Sequence, residues 1–159
     1  MQPRLTNYPV DPKFRDRGGP TQAVRIKALG KVALFKDLSR RNLARIDRIS
    51  RVKYAITGDV LVEQGDPADD MIVVLDGRAS VSRGRRTIDE CGPGHCFGEM
   101  ALLDSQPRSA TVTALEPMRL LVIPGTEFRK LLPAAPRLAE ALLATLSLRL
   151  REAHAVADI

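Results

Sequence analysis

Residues 97–111 read FGEMALLDSQPRSAT, a run that sets two unlike chemical demands side by side. Gly98 permits a close backbone approach, and Glu99 to Leu103 have the composition of one or two helical turns. The free N–H groups at the start of such a turn attract an anion, phosphate above all. Nine residues after Glu99, past the loop 104–107, Arg108 offers a planar, permanently charged fork that matches phosphate oxygens. Glu99 is no phosphate ligand, because two anions repel. It either caps the turn or accepts a hydrogen bond from a hydroxyl on the same ligand. Phosphate together with hydroxyl points to a nucleotide. The plain structural alternative is an Arg and a Glu that pair with each other, or with other surface charges.

On both sides of this run the sequence reads as strand. VKYAI, VLVEQGDPADD, MIVVLDGRASVSRG and TIDECGPGHCFGE precede or enter it, and ATVTAL and MRLLVI follow. These segments are short, aliphatic and punctuated by glycine turns such as Gly65-Asp66-Pro67 and Gly92-Pro93-Gly94, the pattern of a β-sandwich or barrel. Upstream, Val24, Leu29, Val32, Leu34 and Phe35 mark helical segments that Gly30 interrupts, and Ser39 is the expected cap of a helix bearing Leu43, Ile46 and Ile49 on one face. Downstream, Thr126 is the expected cap of the short helix EFRKLL, and Pro133 and Pro136 bracket a break. The helix that follows carries Leu138, Ala141, Leu142, Thr145, Leu146, Leu148 and Leu150, more apolar area than one face needs. Its partner is either its own barrel or the same helix of a second subunit, a homodimer.

Phe97, Gly98, Glu99, Ala101, Leu102, Arg108 and Ala110 resemble the phosphate-binding cassette of the cyclic-nucleotide-binding domain family, and the likeness extends over about residues 33–150. It includes framework glycines Gly58, Gly65, Gly77 and Gly94. The resemblance implies a mainly β fold with flanking helices: a β-jelly-roll barrel with N-terminal helices and C-terminal hinge and lid helices. It implies that Glu99 takes the ribose 2′-hydroxyl. Arg108, with backbone N–H groups around Gly98, Ala101, Leu102 and Ala110, takes the cyclic phosphate. Val81 and Ile88 match positions that line the family's pocket, although ordinary core is an equal alternative. Asp89, next to Ile88, could reach a base edge, but strand alternation makes solvent the expectation. Ser109, in the position that tunes the choice of base, tilts the expected ligand toward cyclic AMP, with cyclic GMP the alternative. Arg151 and His154 fall where the resemblance would place a lid contact.

Composition bounds the rest. With 159 residues, 44% of them apolar, the chain supports one domain and an aliphatic core. Four segments are expected: a flexible arm over 1–20, a helical lead-in over 21–50, a cyclic-nucleotide-binding jelly roll over 51–124 and C-terminal helices over 125–159. The net charge of +6 is concentrated in residues 1–55, where 14 Lys or Arg stand against 4 Asp or Glu, a pattern read as solvated helix faces. Cys91 and Cys96 are expected to be unpaired thiols in a reducing cytoplasm. No stretch is apolar enough for a membrane span or a signal segment. His95 and His154 are too few for a cupin-type metal site, and Ser105 and Ser109 lack a base partner, so neither metal nor catalysis is expected. Too few residues follow the last helix for a winged helix-turn-helix, so direct DNA binding is not expected. The function expected is a stand-alone cyclic nucleotide sensor with no further cofactor, acting on an effector protein the sequence does not identify. The alternative is a scaffold of the same fold that binds no nucleotide and contacts a macromolecule through its basic front or last helix.

Overall fold

The computed structural model of the chain describes residues 19–104 and 106–157. The two most continuous apolar runs, MIVVL and LLVI, fall in strands β3 (Asp70–Asp76) and β8 (Met118–Pro124), which pair antiparallel. Successive side chains on a strand point to opposite faces, so these two strands serve two cores at once. Met71, Val73, Leu121 and Ile123 pack with the helices, while Ile72, Val74, Leu120 and Val122 pack with the second sheet. Burial on both faces is why neither run shows polar alternation.

β1 (Arg51–Ala55) and β6 (Cys96–Phe97) complete the first sheet in the order β1-β8-β3-β6. The second sheet runs β2-β7-β4-β5, from β2 (Val60–Val62), β4 (Ala79–Arg83), β5 (Arg86–Cys91) and β7 (Thr111–Ala114). All pairings are antiparallel. The expected mainly β architecture with flanking helices is therefore present, as two four-stranded sheets rather than a closed barrel. The β3–β4 connection depends on Gly77, whose φ is +89° and where an added Cβ would lie 2.5 Å from the Pro117 carbonyl oxygen.

The helical lead-in consists of α1 (Gln22–Gly30) and α2 (Arg40–Ile49). Ser39 caps α2 as its sequence position predicts, its Oγ accepting from the Asn42 N–H at 3.2 Å. Arg25 on α1 forks onto Asp47 of α2, with Nε to Oδ1 at 2.7 Å and Nη2 to Oδ2 at 3.0 Å. At least that part of the basic front is structural cement. The predicted arm lies almost wholly outside the described residues, as does Ser105.

The C-terminal part differs from expectation in two details. Pro124, not Thr126, occupies the N-cap of α4 (Gly125–Ala134); Thr126 Oγ1 instead donates to Asp69 Oδ2 at 3.2 Å. The break expected between Pro133 and Pro136 is present but narrower, because α4 runs through Pro133 to Ala134 and α5 (Pro136–Ala157) begins after Ala135. Proline is well suited to that first position of α5, where its missing N–H would have no intrahelical acceptor. Phe128 of α4 is fully buried against Phe35, the ring centroids 6.0 Å apart.

Candidate functional site

The cassette starts where β6 ends. Gly98 has φ +79°, and a Cβ there would overlap Arg108 Nη1 and lie 2.5 Å from the Asp70 carbonyl oxygen. Only glycine lets the guanidinium come this close to the chain. α3 (Ala101–Asp104) follows as a single turn that begins two residues later than its composition predicts. Arg108 is fixed from both sides: its N–H donates to the Asp66 carbonyl and its carbonyl accepts from the Gly65 N–H, each at 2.9 Å. In the side chain, Nη2 donates to the Asp70 carbonyl at 2.9 Å. Nη1 is buried and has no hydrogen-bond partner among the described residues. Burial lowers the guanidinium pKa, opposed by the carboxylates of Asp70 and Asp69. Burial likewise pushes the Asp70 carboxyl above its ordinary value, with Arg108 pulling it back. A buried, charged donor without an acceptor is unfavourable until an anion arrives.

Beside this group opens a cavity of about 580 Å³. Eight of the nine residues expected at the site line it: Val81, Ile88, Gly98, Glu99, Ala101, Arg108, Ser109 and Ala110. Leu102 does not. It is fully buried in the helical core, and its carbonyl accepts from Arg129 Nη1 at 3.2 Å. Neighbours in one helical turn point about 100° apart. With Ala101 turned to the cavity, Leu102 is left to anchor the turn underneath.

Ile88 reaches the cavity for a reason that alternation does not foresee. Val81 pairs with Asp89 but Ser82 pairs with Thr87, so Ile88 is the extra residue of a bulge. The bulge suspends the in-and-out alternation of β5. Asp89, expected at the solvent, also lines the cavity although it remains exposed.

Glu99 neither caps α3 nor stands alone. Its Oε1 accepts from the Leu34 N–H at 2.7 Å and from Arg149 Nη1 at 2.9 Å, joining the cassette to the turn after α1 and to α5. Oε2 carries no hydrogen bond among the described residues. The arginine of α5 that meets the site is thus Arg149; Arg151 and His154 are exposed and do not line the cavity. Sequence reasoning had no signal for Arg149, because which face of α5 turns inward is settled only by docking. It also passed over Arg83, whose Nε donates to the Ser109 carbonyl at 3.3 Å; His95, weighed only as a metal ligand, has its Nδ1 accepting from the Gly92 N–H at 2.9 Å.

Cys91 and Cys96 are free thiols on the cavity wall. Burial pushes the Cys96 thiol up to about 11, the Glu99 carboxylate adding to the shift and Arg149 opposing it. At pH 8 roughly one thiol in a thousand is then ionised, against about a quarter for a free cysteine. Alkylation of Cys96 by iodoacetamide, followed by peptide mass spectrometry, is expected to run roughly two hundredfold slower than for a free thiol, in proportion to the thiolate fraction. A free-thiol rate would contradict this placement beside Glu99.

Among the described residues, no group of three or more His, Cys, Asp or Glu is arranged to hold a metal, and no single helix is long and apolar enough to cross a membrane. Residues 52–134 match the family model described as the cyclic nucleotide-binding domain. The chain is 38% identical over 109 residues to a cyclic nucleotide-gated potassium channel of Mesorhizobium japonicum, a match covering 69% of this chain and 30% of the channel. It spans about a third of the length of the curated relatives it matches. Among solved structures, the N-terminal domain of a transcriptional regulator from Streptomyces coelicolor superposes with a TM-score of 0.76 at 31% identity, covering 81% of this chain and 94% of that one. The Thermus thermophilus catabolite activator protein superposes with a TM-score of 0.61, also at 31% identity, over 79% and 62% of the two chains. These relatives are channels and regulators. With a family model covering more than half its length and a cassette built around Arg108, the chain belongs to the cyclic nucleotide-binding domain family.

Proposed function

We infer that this domain is a regulatory receptor for a 3′,5′-cyclic nucleotide, cyclic AMP in the first place, and that it works by binding rather than by catalysis. The observation that carries this reading is the buried Arg108 Nη1, unpartnered and held against Gly98 at the wall of the cavity. The cyclic phosphate is the anion that satisfies it, together with backbone N–H groups around Gly98, Ala101 and Ala110. Glu99, on the cavity wall, would accept from the ribose 2′-hydroxyl, and Val81 and Ile88 would supply apolar wall for the base. Ser109 carries the tilt toward adenine. Calorimetric titration with cyclic AMP and then cyclic GMP, after stripping carried-over nucleotide, tests the reading. Saturable heat supports it, and silence with both at two temperatures would remove it.

A link from ligand to output lies in the bond between Glu99 and Arg149. A hydroxyl arriving at Glu99 changes the charge balance of a carboxylate that already holds α5, so binding alters how α5 packs, and α5 presents its surface to an effector or to a second copy. A partly exposed ion pair of this kind contributes about 1 kcal/mol or less. Arg149→Ala is therefore expected to raise amide hydrogen exchange in residues 143–157 of the unliganded protein up to about fivefold, read by mass spectrometry. Unchanged exchange would break the proposed link.

A further inference from the structure

We propose that Asp89 reads the base edge and selects a 6-amino over a 6-oxo purine, so that this chain carries a specificity residue on β5, outside its cassette. The inference rests on reading the cavity as a cyclic nucleotide site. With phosphate and ribose held by the cassette, the base falls to the remaining wall, to which β4 and β5 contribute alongside residues of β2, β6 and β7. Arg83 marks the cassette end of that wall through its bond to the Ser109 carbonyl at 3.3 Å. Val81 is two residues back along β4, about 7 Å at the usual strand rise, and Asp89 is its partner across the ladder. By register, Asp89 thus lies about one base-length along the wall from its cassette end, paired with Val81 and next in sequence to Ile88.

Its bonding leaves one oxygen for a ligand. Oδ1 accepts from the Glu90 N–H at 2.8 Å, which fixes the group, while Oδ2 has no hydrogen bond among the described residues. The neighbouring Glu90 is taken up in an ion pair with Arg78. An ionised carboxylate is acceptor-only. At the C6 position of a purine it welcomes the amino N–H of adenine and repels the carbonyl oxygen of hypoxanthine or guanine. Leaving such a group opposed or unpaired is what makes polar sites discriminate.

The test is a set of titrations of the whole chain with cyclic AMP, cyclic IMP and cyclic GMP, for wild type, Asp89→Ala and Asp89→Asn. Cyclic IMP carries a 6-oxo group and lacks the 2-amino group of guanine. The wild type is expected to prefer cyclic AMP over cyclic IMP at least tenfold, and both variants to close that gap to within threefold. Asp89→Asn preserves the anchor to the Glu90 N–H, and matching thermal midpoints check that both variants fold. Wild-type affinities for cyclic AMP and cyclic IMP within threefold, or an undiminished gap in the variants, would overturn the assignment while leaving the nucleotide reading intact. A wild-type preference for cyclic GMP that disappears in Asp89→Ala would overturn it by moving the contact to the 2-amino group. No saturable binding of any of the three would remove both.

Discussion

Arg108→Ala is expected to weaken cyclic nucleotide binding by at least two decades. Removing one partner of a buried charge pair costs on the order of 3 to 5 kcal/mol, because the phosphate is left desolvated and unpaired. The fold itself should tolerate the change. Among the described residues the guanidinium makes one side-chain bond, to the Asp70 carbonyl, and keeps Nη1 buried without a partner. Its removal relieves the desolvation that lowers its pKa. Affinity by calorimetry and the thermal midpoint therefore move independently, and that separation is the diagnostic. Arg108→Lys keeps the charge but loses the planar fork, and should fall between wild type and alanine. Wild-type affinity in a folded Arg108→Ala variant would mean that the phosphate sits elsewhere.

Phe128→Ala is expected to have the largest effect on stability. The ring is fully buried between the N- and C-terminal helices, facing Phe35, in the core that also holds Leu102 beneath the cassette. Truncating such a residue costs about 3–5 kcal/mol, a large share of the roughly 5–15 kcal/mol that holds a domain of this kind together. The thermal midpoint should fall by about 6–20 °C. Leu143→Ala is the matched control: Leu143 lies on α5 but is 66% exposed, and its truncation should stay within about 0.5 kcal/mol. Equal shifts for the two variants would show that the helices do not share this core.

The site was most legible where its chemistry is local. Gly98, Glu99 and Arg108 lie within one short run, and residue types alone pointed to them as one site, where they do line the same cavity. Arg108 needs a neighbour without a Cβ, and Gly98 stands one residue after β6 to provide it. The apolar runs of β3 and β8 likewise announced strands, although not that each would be buried on both faces. Legibility failed where a side chain's direction depends on something distant. The side chain of Leu102 goes to the core by the phase of a four-residue helix, which the run itself does not disclose, whereas the group expected at the cradle was its backbone N–H. Asp89 is exposed as alternation predicts, but the bulge between Val81 and Ser82 also brings it to the cavity wall, which alternation does not foresee. Thr126 looked like a cap until Asp69, 57 residues away, took its hydroxyl.

By itself the sequence determined the element types, the turns that separate them and the chemical inventory of the cassette, because each depends on backbone preferences and residue types within a few positions. Tertiary structure alone decided that Arg149 of α5 meets Glu99, that Arg83 bonds the far end of the cassette and that the bulge of β5 brings Asp89 to the cavity wall beside Ile88. Those placements join residues as many as 50 positions apart. They depend on helix phase, strand register and the docking of α5, which are set by how whole faces pack rather than by the residues that finally touch.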